Sequence, residues 1–440
     1  MRPSKGRMSQ FKILHSDESF SKHLLETELF SEATLFSFLE KYKSVVIKPA
    51  FGWGEVFVTF KNNKFKIFSE VNEDAFIDRE DLYQYLRKNK LKHKNNIIQP
   101  ARPHSGLFQG PFYFYLVTLH RNSPATEWHY MSSTDKYGSP IGKYFNFDDK
   151  MENLSILAAK KLGDFYPDCH TVVLEIGYEL MRGLWIQDSI LHFPKSKWNQ
   201  FQTLSTNHSI SPFVPKTDLL TKVSFNEYLN KYNEIIIKPC VGQHGLGIVK
   251  ITMTDSSTFE IHTGRIKQIK SNMEETYDFI HTKYLSKNQY LVQERLSLAE
   301  IDGCPLDVRV IVQKVESSWI VTGKIVKVAG KGFFVTNAAQ KLLSLGESLH
   351  NSNFSVTNLN QLEYEVDSIC IFASEQLEVN HPDIKMIGFD IGISEKGDIW
   401  IIEGNYKPDL SMFSGLKDKD IYTNIRKVMK SQRKNKNDSN

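Results

Sequence analysis

Alternating apolar and polar positions near the C-terminal end of the chain predict a β-hairpin. Two apolar runs in 386–405 flank a polar turn at Lys396, the pattern of two antiparallel strands and a tight turn. Folding the segment about this turn sets Asp390 opposite Glu403, with Asn405 two residues further along the same face. Opposed like charges are destabilising unless a cation neutralises them. The trio therefore suits Mg²⁺, and two solvated acids on an edge hairpin are the alternative.

A second alternation, in 306–313, predicts a strand with valines on one face and charged residues on the other. The charged face carries Asp307 and Arg309. A guanidinium fixed on a strand suits a transferring phosphoryl group, whereas a surface Asp–Arg pair is the competing interpretation. The strand that follows carries Lys324 and Lys327, which are either further phosphate ligands or solvated charges.

The segment 235–248 predicts a strand that ends at Lys238 and leads into a glycine-rich loop with Gly242, Gly245 and Gly247. Glycines let backbone N–H groups approach phosphate oxygens, and a lysine adds a point charge. The loop lacks the Gly-Lys-Ser/Thr of a Walker A motif. In protein kinases the glycine-rich loop precedes the strand lysine, which is the reverse of the order here. An ordinary hairpin loop remains open as the alternative.

A short apolar strand at Leu291–Arg295 runs into a polar connection. Such a hinge can present backbone amide and carbonyl groups to an adenine edge, although an ordinary strand end has the same pattern. A longer apolar periodicity from about Gln361 to Val379 predicts a helix before the C-terminal hairpin.

The chain contains an internal repeat. Placing Glu26–Pro49 over Lys216–Pro239 without gaps gives eight identities in 24 positions. The likeness recurs further on, where Glu175 corresponds to Asp390. A period this long indicates two copies of one large domain rather than a solenoid. We therefore predict an α+β fold with domains at 1–205 and 206–425, followed by a basic disordered tail at 426–440.

Composition places the chain among ordinary globular proteins, with 440 residues, 40% hydrophobic residues and a net charge of +4. The tail from Arg426 on has six basic residues and one acid, and a solvated tail is the favoured interpretation. Its lack of aromatic residues gives no support for a nucleic-acid partner. The four cysteines show no Cys-x-x-Cys spacing, which favours reduced thiols in an intracellular protein. We find no signal peptide and no membrane span.

The order of these features resembles the ATP-grasp superfamily: strand lysine, glycine-rich loop, hinge, Asp-x-Arg strand, basic strand, then an Asp…Glu-x-Asn hairpin. In detail the chain looks like the YheC/YheD group, described as endospore coat-associated ATP-grasp proteins. The resemblance is strong from about residue 213 to 415 and weaker before that. The segments that carry it are Val321–Gly323, Val335–Asn337, Ile387–Asp390 and Trp400–Pro408.

The resemblance implies two α+β subdomains that grip ATP, and a role for each matching residue. ATP would be bound by Lys238, Gly242, Gly245, Gly247, Gln293, Glu294, Leu296 and Glu300. The γ-phosphate would be stabilised by Arg309 with Lys324 or Lys327, and Mg²⁺ would be held by Asp390, Glu403 and Asn405.

The activity that the resemblance implies is ATP- and Mg²⁺-dependent ligation of a carboxylate to an amine or thiol. The substrate would be a small-molecule or peptide carboxylate, and the protein would act in the cytoplasm of a spore-forming cell, in association with spore-coat proteins. The alternative is a structural coat-associated protein that binds ATP without ligating anything.

The first copy is predicted to be degenerate. An acidic pair persists at Glu175 and Asp188, but Ile190 replaces the asparagine. In this alignment Tyr113 and Tyr115 stand where the second copy has its Asp-x-Arg motif, and the glycine loop shortens to 50–54. A site without its arginine and asparagine is expected to perform no phosphoryl transfer, so this copy is predicted to be structural or substrate-presenting rather than a second ATP site.

Overall fold

A computed structural model of the protein describes residues 4–437, with gaps at 53, 69–72, 92, 102–111, 137–147, 180–181, 256, 338, 356–357 and 417–418. Position 53 of the predicted first-copy loop and the last three residues of the predicted tail lie outside the described residues. Helices in the described part of the chain are all too short or too polar to cross a membrane.

The chain divides into two compact units. The first extends to Phe193 and takes in Thr221–Phe225 and Tyr277–Gln289, and the second comprises the remainder. The main division lies at Phe193/Pro194, earlier in the chain than the predicted boundary at 205. The earlier division is explained by the helix at Lys197–Ser205, which packs against a helix and a strand of the second unit.

The first half of the chain forms two antiparallel sheets and, among the described residues, four α-helices. These helices are α1 (Arg7–His15), α2 (Glu32–Tyr42), α3 (Arg79–Tyr85) and α4 (Asp148–Phe165). One sheet contains β1 (Glu28–Leu29), β2 (Ser44–Pro49), β3 (Val56–Lys61), β4 (Lys64–Phe68), β5 (Glu73–Phe76) and β6 (Asn96–Pro100), in the order β1-β6-β2-β3-β4-β5. The other contains β7 (Phe112–His120), β8 (His129–Asp135), β9 (Thr171–Glu179) and β10 (Gly183–His192), in the order β10-β9-β7-β8.

The second half of the chain also forms two antiparallel sheets, with seven α-helices among its described residues. Its helices are α5 (Lys197–Ser205), α6 (Lys222–Tyr232), α7 (Met273–Ile280), α8 (Leu345–Asn351), α9 (Leu359–Asn380), α10 (Ser411–Ser414) and α11 (Asp420–Asn437). One sheet contains β11 (Thr217–Leu219), β12 (Glu234–Pro239), β13 (Val249–Met253), β14 (Phe259–Thr263), β15 (Ile266–Lys270) and β16 (Tyr290–Glu294). The other contains β17 (Glu300–Ile301), β18 (Cys304–Val315), β19 (Ser318–Ala329), β20 (Ala339–Leu343), β21 (Met386–Ile393) and β22 (Ile399–Asn405).

The six-stranded sheets of the two halves have the same strand order, because β11-β16-β12-β13-β14-β15 matches β1-β6-β2-β3-β4-β5 position for position. In the other sheet of the second half the order is β20-β19-β18-β21-β22. Four of these strands, β19-β18-β21-β22, correspond in order to β8-β7-β9-β10 of the first half. Every strand pair in these sheets is antiparallel, which is typical of an α+β fold, whereas repeated βαβ units have parallel strands.

The central strand β18 is covered on both faces. Val308 and Val310 pack in a core with the buried stripe of α9, which includes Val366 and Leu377. The helix begins at Leu359, two residues before the predicted start, and the side chain of Asn358 caps it by accepting a hydrogen bond from the N–H of Gln361. The opposite face of β18 carries the polar residues of the candidate site, so α9 supports the site from behind.

The predicted disordered tail is wrong as far as Asn437, because α11 continues the helix to that residue. Ile425 is fully buried in a small core with Ile311 and Ile325 of the sheet. Basic composition indicated disorder, but Ile421, Ile425 and Met429 pack the first part of the helix onto the strands.

Candidate functional site

The hairpin of β21 and β22 has the predicted register. Asp390 is the cross-strand partner of Glu403, and Asn405 is the partner of Gly388, two residues further along. The predicted pairing of the two carboxylates is confirmed. A bulge between Asp390 and Ile391 shifts the register beyond this point, so the pair sits at a local irregularity of the ladder, as side chains aimed into sites often do.

Arg309 and Asp390 form a bidentate ion pair across β18 and β21. The Arg309 Nε lies 2.8 Å from Asp390 Oδ1, and Nη2 lies 2.9 Å from Oδ2. Both residues are buried, as is Asp307, so the interpretation of Asp307 and Arg309 as a surface pair is wrong. Burial alone raises the pKa of Asp390, but the charges of Lys327 and Arg309 outweigh it and hold that pKa well below its usual range.

Lys327 joins the two acids of this face. Its Nζ lies 2.8 Å from Asp390 Oδ1 and 3.1 Å from Asp307 Oδ1. Thr336, on the loop after β19, donates a hydrogen bond from Oγ1 to Asp307 Oδ2. Burial lowers the pKa of Lys327, and the two carboxylates more than reverse this, so the lysine is held protonated. Burial raises the pKa of the Asp307 carboxyl. The cluster is a compact, buried charge network rather than a solvated sheet face.

Lys324 lies away from this network, so its predicted role at the γ-phosphate is wrong. Its cross-strand partner is Val310, on the face of the sheet that packs against α9. There its Nζ pairs with Asp367 Oδ1 at 2.9 Å and with Glu363 Oε2 at 3.5 Å. Residues three apart on a strand point to opposite faces, which places Lys327 in the site and Lys324 outside it.

Lys238 ends β12 with a buried amino group whose partners among the described residues are both neutral. The Nζ donates to Gln293 Oε1 at 3.0 Å and to the carbonyl of Ile402 at 3.4 Å. Among the described residues no carboxylate lies within ion-pair distance of it. Burial lowers the pKa of Lys238 to about 8, against a partial opposing effect of Glu403. A buried ammonium without a counter-ion is costly, and an anionic ligand would relieve that cost.

Lys197, at the start of α5, is a site residue that the sequence analysis missed. Its Nζ lies 3.0 Å from Glu403 Oε1 and donates at 2.9 Å to the carbonyl of Gly242. It thus ties the hairpin acid to the glycine-rich loop. A signal was present in the repeat, because the same ungapped alignment that pairs the strand lysines also pairs Arg7 with Lys197. No local motif marks the position.

The glycine-rich loop has the conformation that its composition predicts. Gly245 and Gly247 have φ values of +70° and +80°, where side chains are strained. A Cβ on Gly245 would lie 2.4 Å from Asn337 Nδ2, and one on Gly247 would lie 2.7 Å from Tyr290 Oη. The loop is therefore packed closely against both neighbours.

The predicted hinge residues differ in whether they contact Lys238. Gln293 is buried, accepts from Lys238 and donates to Thr217 Oγ1 at 2.7 Å, so it positions the strand lysine. Glu294 accepts instead from the backbone N–H of Lys216 at 2.8 Å. Two further predicted nucleotide ligands form no hydrogen bond or ion pair with Lys238 among the described residues. Leu296 is buried, and Glu300 is exposed at the start of β17.

The site as a whole holds more positive than negative groups among the described residues. Its four cations are Lys197, Lys238, Arg309 and Lys327, and its three carboxylates are Asp307, Asp390 and Glu403. A cavity of about 30 Å³, room for roughly one water molecule, lies beside Lys238, Gln293 and Glu403. No cluster of three or more His, Cys, Asp or Glu side chains placed for a metal occurs in the part of the chain that the structure describes. The arrangement can hold an anion at Lys238, next to the carboxylates of Asp390 and Glu403 and the amide of Asn405.

Sequence comparison assigns the chain to a family. The family described as YheC/D like ATP-grasp matches residues 3–116 and 191–431. The chain belongs to the YheC/D-like ATP-grasp family. The match covers the Lys238 strand, the Asp-x-Arg strand and the hairpin of Asp390, as well as the lysine strand of the first unit.

Two curated relatives of this ATP-grasp chain come from Bacillus subtilis (strain 168). The endospore coat-associated protein YheD is 30% identical over 228 residues, which cover 50% of this chain and 49% of that protein. The endospore coat-associated protein YheC is 26% identical over 215 residues, covering 48% and 59% respectively. The chain spans about half the length of the curated relatives it matches.

Solved structures with detectable similarity are distant. N5-carboxyaminoimidazole ribonucleotide synthetase from Thermotoga maritima is 13% identical, with a TM-score of 0.31 and coverage of 53% of this chain and 48% of that chain. D-alanine–D-alanine ligase from Bacillus anthracis is 13% identical, with a TM-score of 0.33 and coverage of 55% and 69%.

Proposed function

We propose that the protein binds ATP with Mg²⁺ in its second unit and catalyses ATP-dependent ligation of a carboxylate to an amine or thiol. The observation that carries this proposal is Lys238, a buried cation with neutral partners that lies just before the glycine-rich loop in the chain. In the reaction class, a substrate carboxylate oxygen attacks the γ-phosphorus and ADP leaves. The amine or thiol then displaces phosphate from the acyl phosphate.

The residues present fit a nucleotide. Gly245 and Gly247, at positive φ, carry no side chains, which lets their backbone N–H groups approach a phosphate. Lys197 and Lys238 bring two ammonium groups to the same loop. The excess of one cation over the carboxylates of the site favours a polyanion over a neutral ligand.

The residues also fit Mg²⁺, although more narrowly. Asp390 and Glu403 are cross-strand partners, and Asn405 Nδ2 lies 3.4 Å from Asp390 Oδ2, which brings an amide to the same place. Hard oxygen donors of this kind, with phosphate oxygens, are what Mg²⁺ takes in nucleotide sites. Bound there, Mg²⁺ would neutralise phosphate charge and favour departure of ADP.

The protein's own side chains would position the phosphate groups and neutralise their charge. Lys238 would hold phosphate oxygens while Gln293 fixes its amino group. Arg309, locked by its bidentate pair with Asp390, would present the rest of its guanidinium to the transferring phosphoryl group. Lys327 would keep Asp390 and Asp307 ionised and in place. No protein nucleophile is needed for this class of reaction, because phosphoryl transfer depends on positioning and charge.

Turnover tests the proposal directly. ADP release is measured with Mg²⁺ATP and a pool of amino acids, peptides and cell extract, comparing the wild type with Glu403→Gln. Glu395→Gln, an exposed acid in the hairpin turn, is the matched control. We expect substrate-dependent ADP from the wild type and the control, and a loss of about 100-fold in Glu403→Gln, a typical effect of removing one electrostatic group.

A second candidate function is supported by the relatives named endospore coat-associated. In this alternative the protein binds ATP as a structural coat-associated protein and ligates nothing. ATP binding without substrate-dependent ADP release from any pool would select it. Both candidates place the protein with the spore coat, and coat proteins are its proposed partners.

The two halves are proposed to be tandem ATP-grasp-like copies, of which only the second binds nucleotide. Support comes from the shared strand order of the six-stranded sheets. Cross-strand register also corrects the predicted alignment by one position, because Leu116 faces Glu175 as Arg309 faces Asp390. The first-unit counterparts of the Asp-x-Arg residues are thus Phe114 and Leu116 rather than Tyr113 and Tyr115.

A further inference from the structure

The first unit contains a charge cluster with the same layout as the site of the second unit. Glu175 and Asp188 are cross-strand partners on β9 and β10, as the two acids of the second unit are on β21 and β22. Lys48 ends β2 as Lys238 ends β12, and it is only 1% exposed. Lys136 Nζ lies 2.9 Å from Glu175 Oε1. In the second unit Lys327 contacts Asp390 in the same way.

Arg7 corresponds to Lys197 in sequence and in its contacts. Its Nε lies 2.8 Å from Asp188 Oδ2, and its Nη1 donates to the carbonyls of Pro49 and Gly52 at 2.8 and 2.7 Å. The alignment that pairs Arg7 with Lys197 also pairs Gly52 with Gly242. In each unit, therefore, one basic side chain ties a hairpin acid to the loop after the lysine strand.

The two clusters differ at the strand lysine. Lys48 Nζ lies 3.2 Å from Glu55 Oε1 and 3.8 Å from Asp188 Oδ2, whereas Lys238 has neutral partners. Burial lowers the pKa of Lys48, but Glu55, Asp188 and Glu175 raise it by more, so that lysine keeps its proton. Glu55 lies just before β3, at the end of the shortened loop, and 30% of its side chain is exposed.

The charge balance follows from this extra acid. Among the described residues the first-unit cluster has three cations, Arg7, Lys48 and Lys136, and three carboxylates, Glu55, Glu175 and Asp188. Without Glu55 the cluster would carry one excess positive charge, as the site of the second unit does. The groups that would act on a transferring phosphoryl group are replaced, since Leu116 and Ile190 stand where the second unit has Arg309 and Asn405.

We propose that the first unit contains a second anion site of the phosphate type, which the Glu55 carboxylate occupies from within the chain. Glu55 stands at Lys48 where a phosphate group stands at Lys238, a comparison that rests on the proposed function of the second unit. The wild-type first unit therefore binds no nucleotide, and its loop is held by Arg7 and Glu55 without any ligand. Replacing Glu55 with a neutral residue opens the site to inorganic phosphate or pyrophosphate. Because Leu116 replaces the counterpart of Arg309, the opened site supports binding alone.

The test uses full-length protein in a Lys238→Met background, which removes the strand lysine of the second unit. Binding of inorganic pyrophosphate is measured by isothermal titration calorimetry for Lys238→Met alone, with Lys48→Met, with Glu55→Gln, and with Glu55→Gln and Lys48→Met together. We expect Glu55→Gln to add one binding event per chain, with affinity at least tenfold above that of the background. Lys48→Met is expected to remove that event. Glu55→Asp, which keeps the charge, is expected to behave as the background.

Equal pyrophosphate binding with and without Glu55→Gln would overturn the proposal. So would a fall in binding caused by Lys48→Met while Glu55 is intact, because the site would then be open already. Thermal unfolding shows whether each variant is folded, and Glu55→Ala gives a second neutral variant for the same comparison. ADP binding to Lys238→Met and to wild type, measured separately, tests the second unit, so the two proposals can fail independently.

Discussion

Lys238 shows at the scale of one residue why the second unit suits an anionic ligand. Its amino group is buried with an amide and a carbonyl as partners, and its pKa is lowered by burial to about 8. An ammonium held this way gains more from a bound phosphate than a solvated lysine does, because the ligand supplies the missing counter-charge.

This lowered pKa predicts the pH dependence of nucleotide binding. As pH rises through about 8, free Lys238 loses its proton, so the Kd of MgADP should rise by up to about tenfold per pH unit. The stability effect has the opposite sign: between 8 and its ordinary value of 10.5 the unfolded chain binds more protons, so the contribution of Lys238 to stability rises with pH. Calorimetric titrations at pH 7 to 9.5 measure the affinity. Lys238→Arg keeps its charge and should show little change, and an equal slope in both proteins would contradict the assignment.

Lys327 and Lys324 give a matched pair for testing which lysine belongs to the site. Lys327→Met leaves two buried carboxylates without their shared cation, so we expect a loss of about 3–5 kcal/mol in the free energy of unfolding together with loss of ATP turnover. Lys324→Met removes a partly exposed pair, which should cost about 0–1 kcal/mol and leave nucleotide binding unchanged. Urea unfolding and MgADP titration measure the two effects. Weakened binding in Lys324→Met would place that lysine in the site after all.

At the scale of elements, local patterns predicted the hairpin well and the faces of β19 poorly. Asp390 and Glu403 could be paired from sequence because both strands and their turn lie in the one short segment 386–405. The strand period of two put Lys324 and Lys327 on opposite faces, but the sequence could not say which face belongs to the site, because the packing of α9 decides that. Lys197 escaped notice because its helix lies far before Lys238 in the chain and meets the loop and the hairpin only through the fold.

The glycine loop supplies a prediction at this scale. Gly245 and Gly303 both have φ of +70°, but a Cβ on Gly245 would meet Asn337 at 2.4 Å, whereas one on Gly303 would have nothing within 4 Å. Alanine at either position should lower stability by about 1–2 kcal/mol through backbone strain. Only Gly245→Ala should also weaken MgADP binding, because it displaces the loop from Asn337. Equal nucleotide affinities in the two variants would show that the packing of this loop is irrelevant to binding.

Helix α11 is a second element whose role can be measured. Ile425 is fully buried against the sheet and Arg426 beside it is exposed. We expect Ile425→Ala to lower the free energy of unfolding by about 2–5 kcal/mol and Arg426→Ala to change it by less than about 0.5 kcal/mol. Chemical unfolding followed by circular dichroism gives both values. If Ile425→Ala left the free energy of unfolding unchanged, the result would support the disordered tail that the basic composition suggested.

At the scale of the whole molecule, the six-stranded sheets of the two halves share a strand order. The likeness of 26–49 to 216–239 predicted this correspondence, because both segments keep the strand that ends in Lys-Pro. The division between the units and the contact of Glu55 with Lys48 could not be predicted, since the first depends on what α5 packs against and the second on a loop of different length. In the account proposed here, an acidic pair at a hairpin does not by itself mark a working site.

The central claim is that one nucleotide binds per chain, at Lys238. Isothermal titration of full-length protein with MgADP tests it most directly, using wild type, Lys238→Met and Lys48→Met. We predict one site per chain in wild type and in Lys48→Met, and a Kd about 10- to 100-fold higher in Lys238→Met, as expected for loss of a charged hydrogen bond to phosphate. Wild-type affinity in Lys238→Met, or loss of binding in Lys48→Met, would contradict the account.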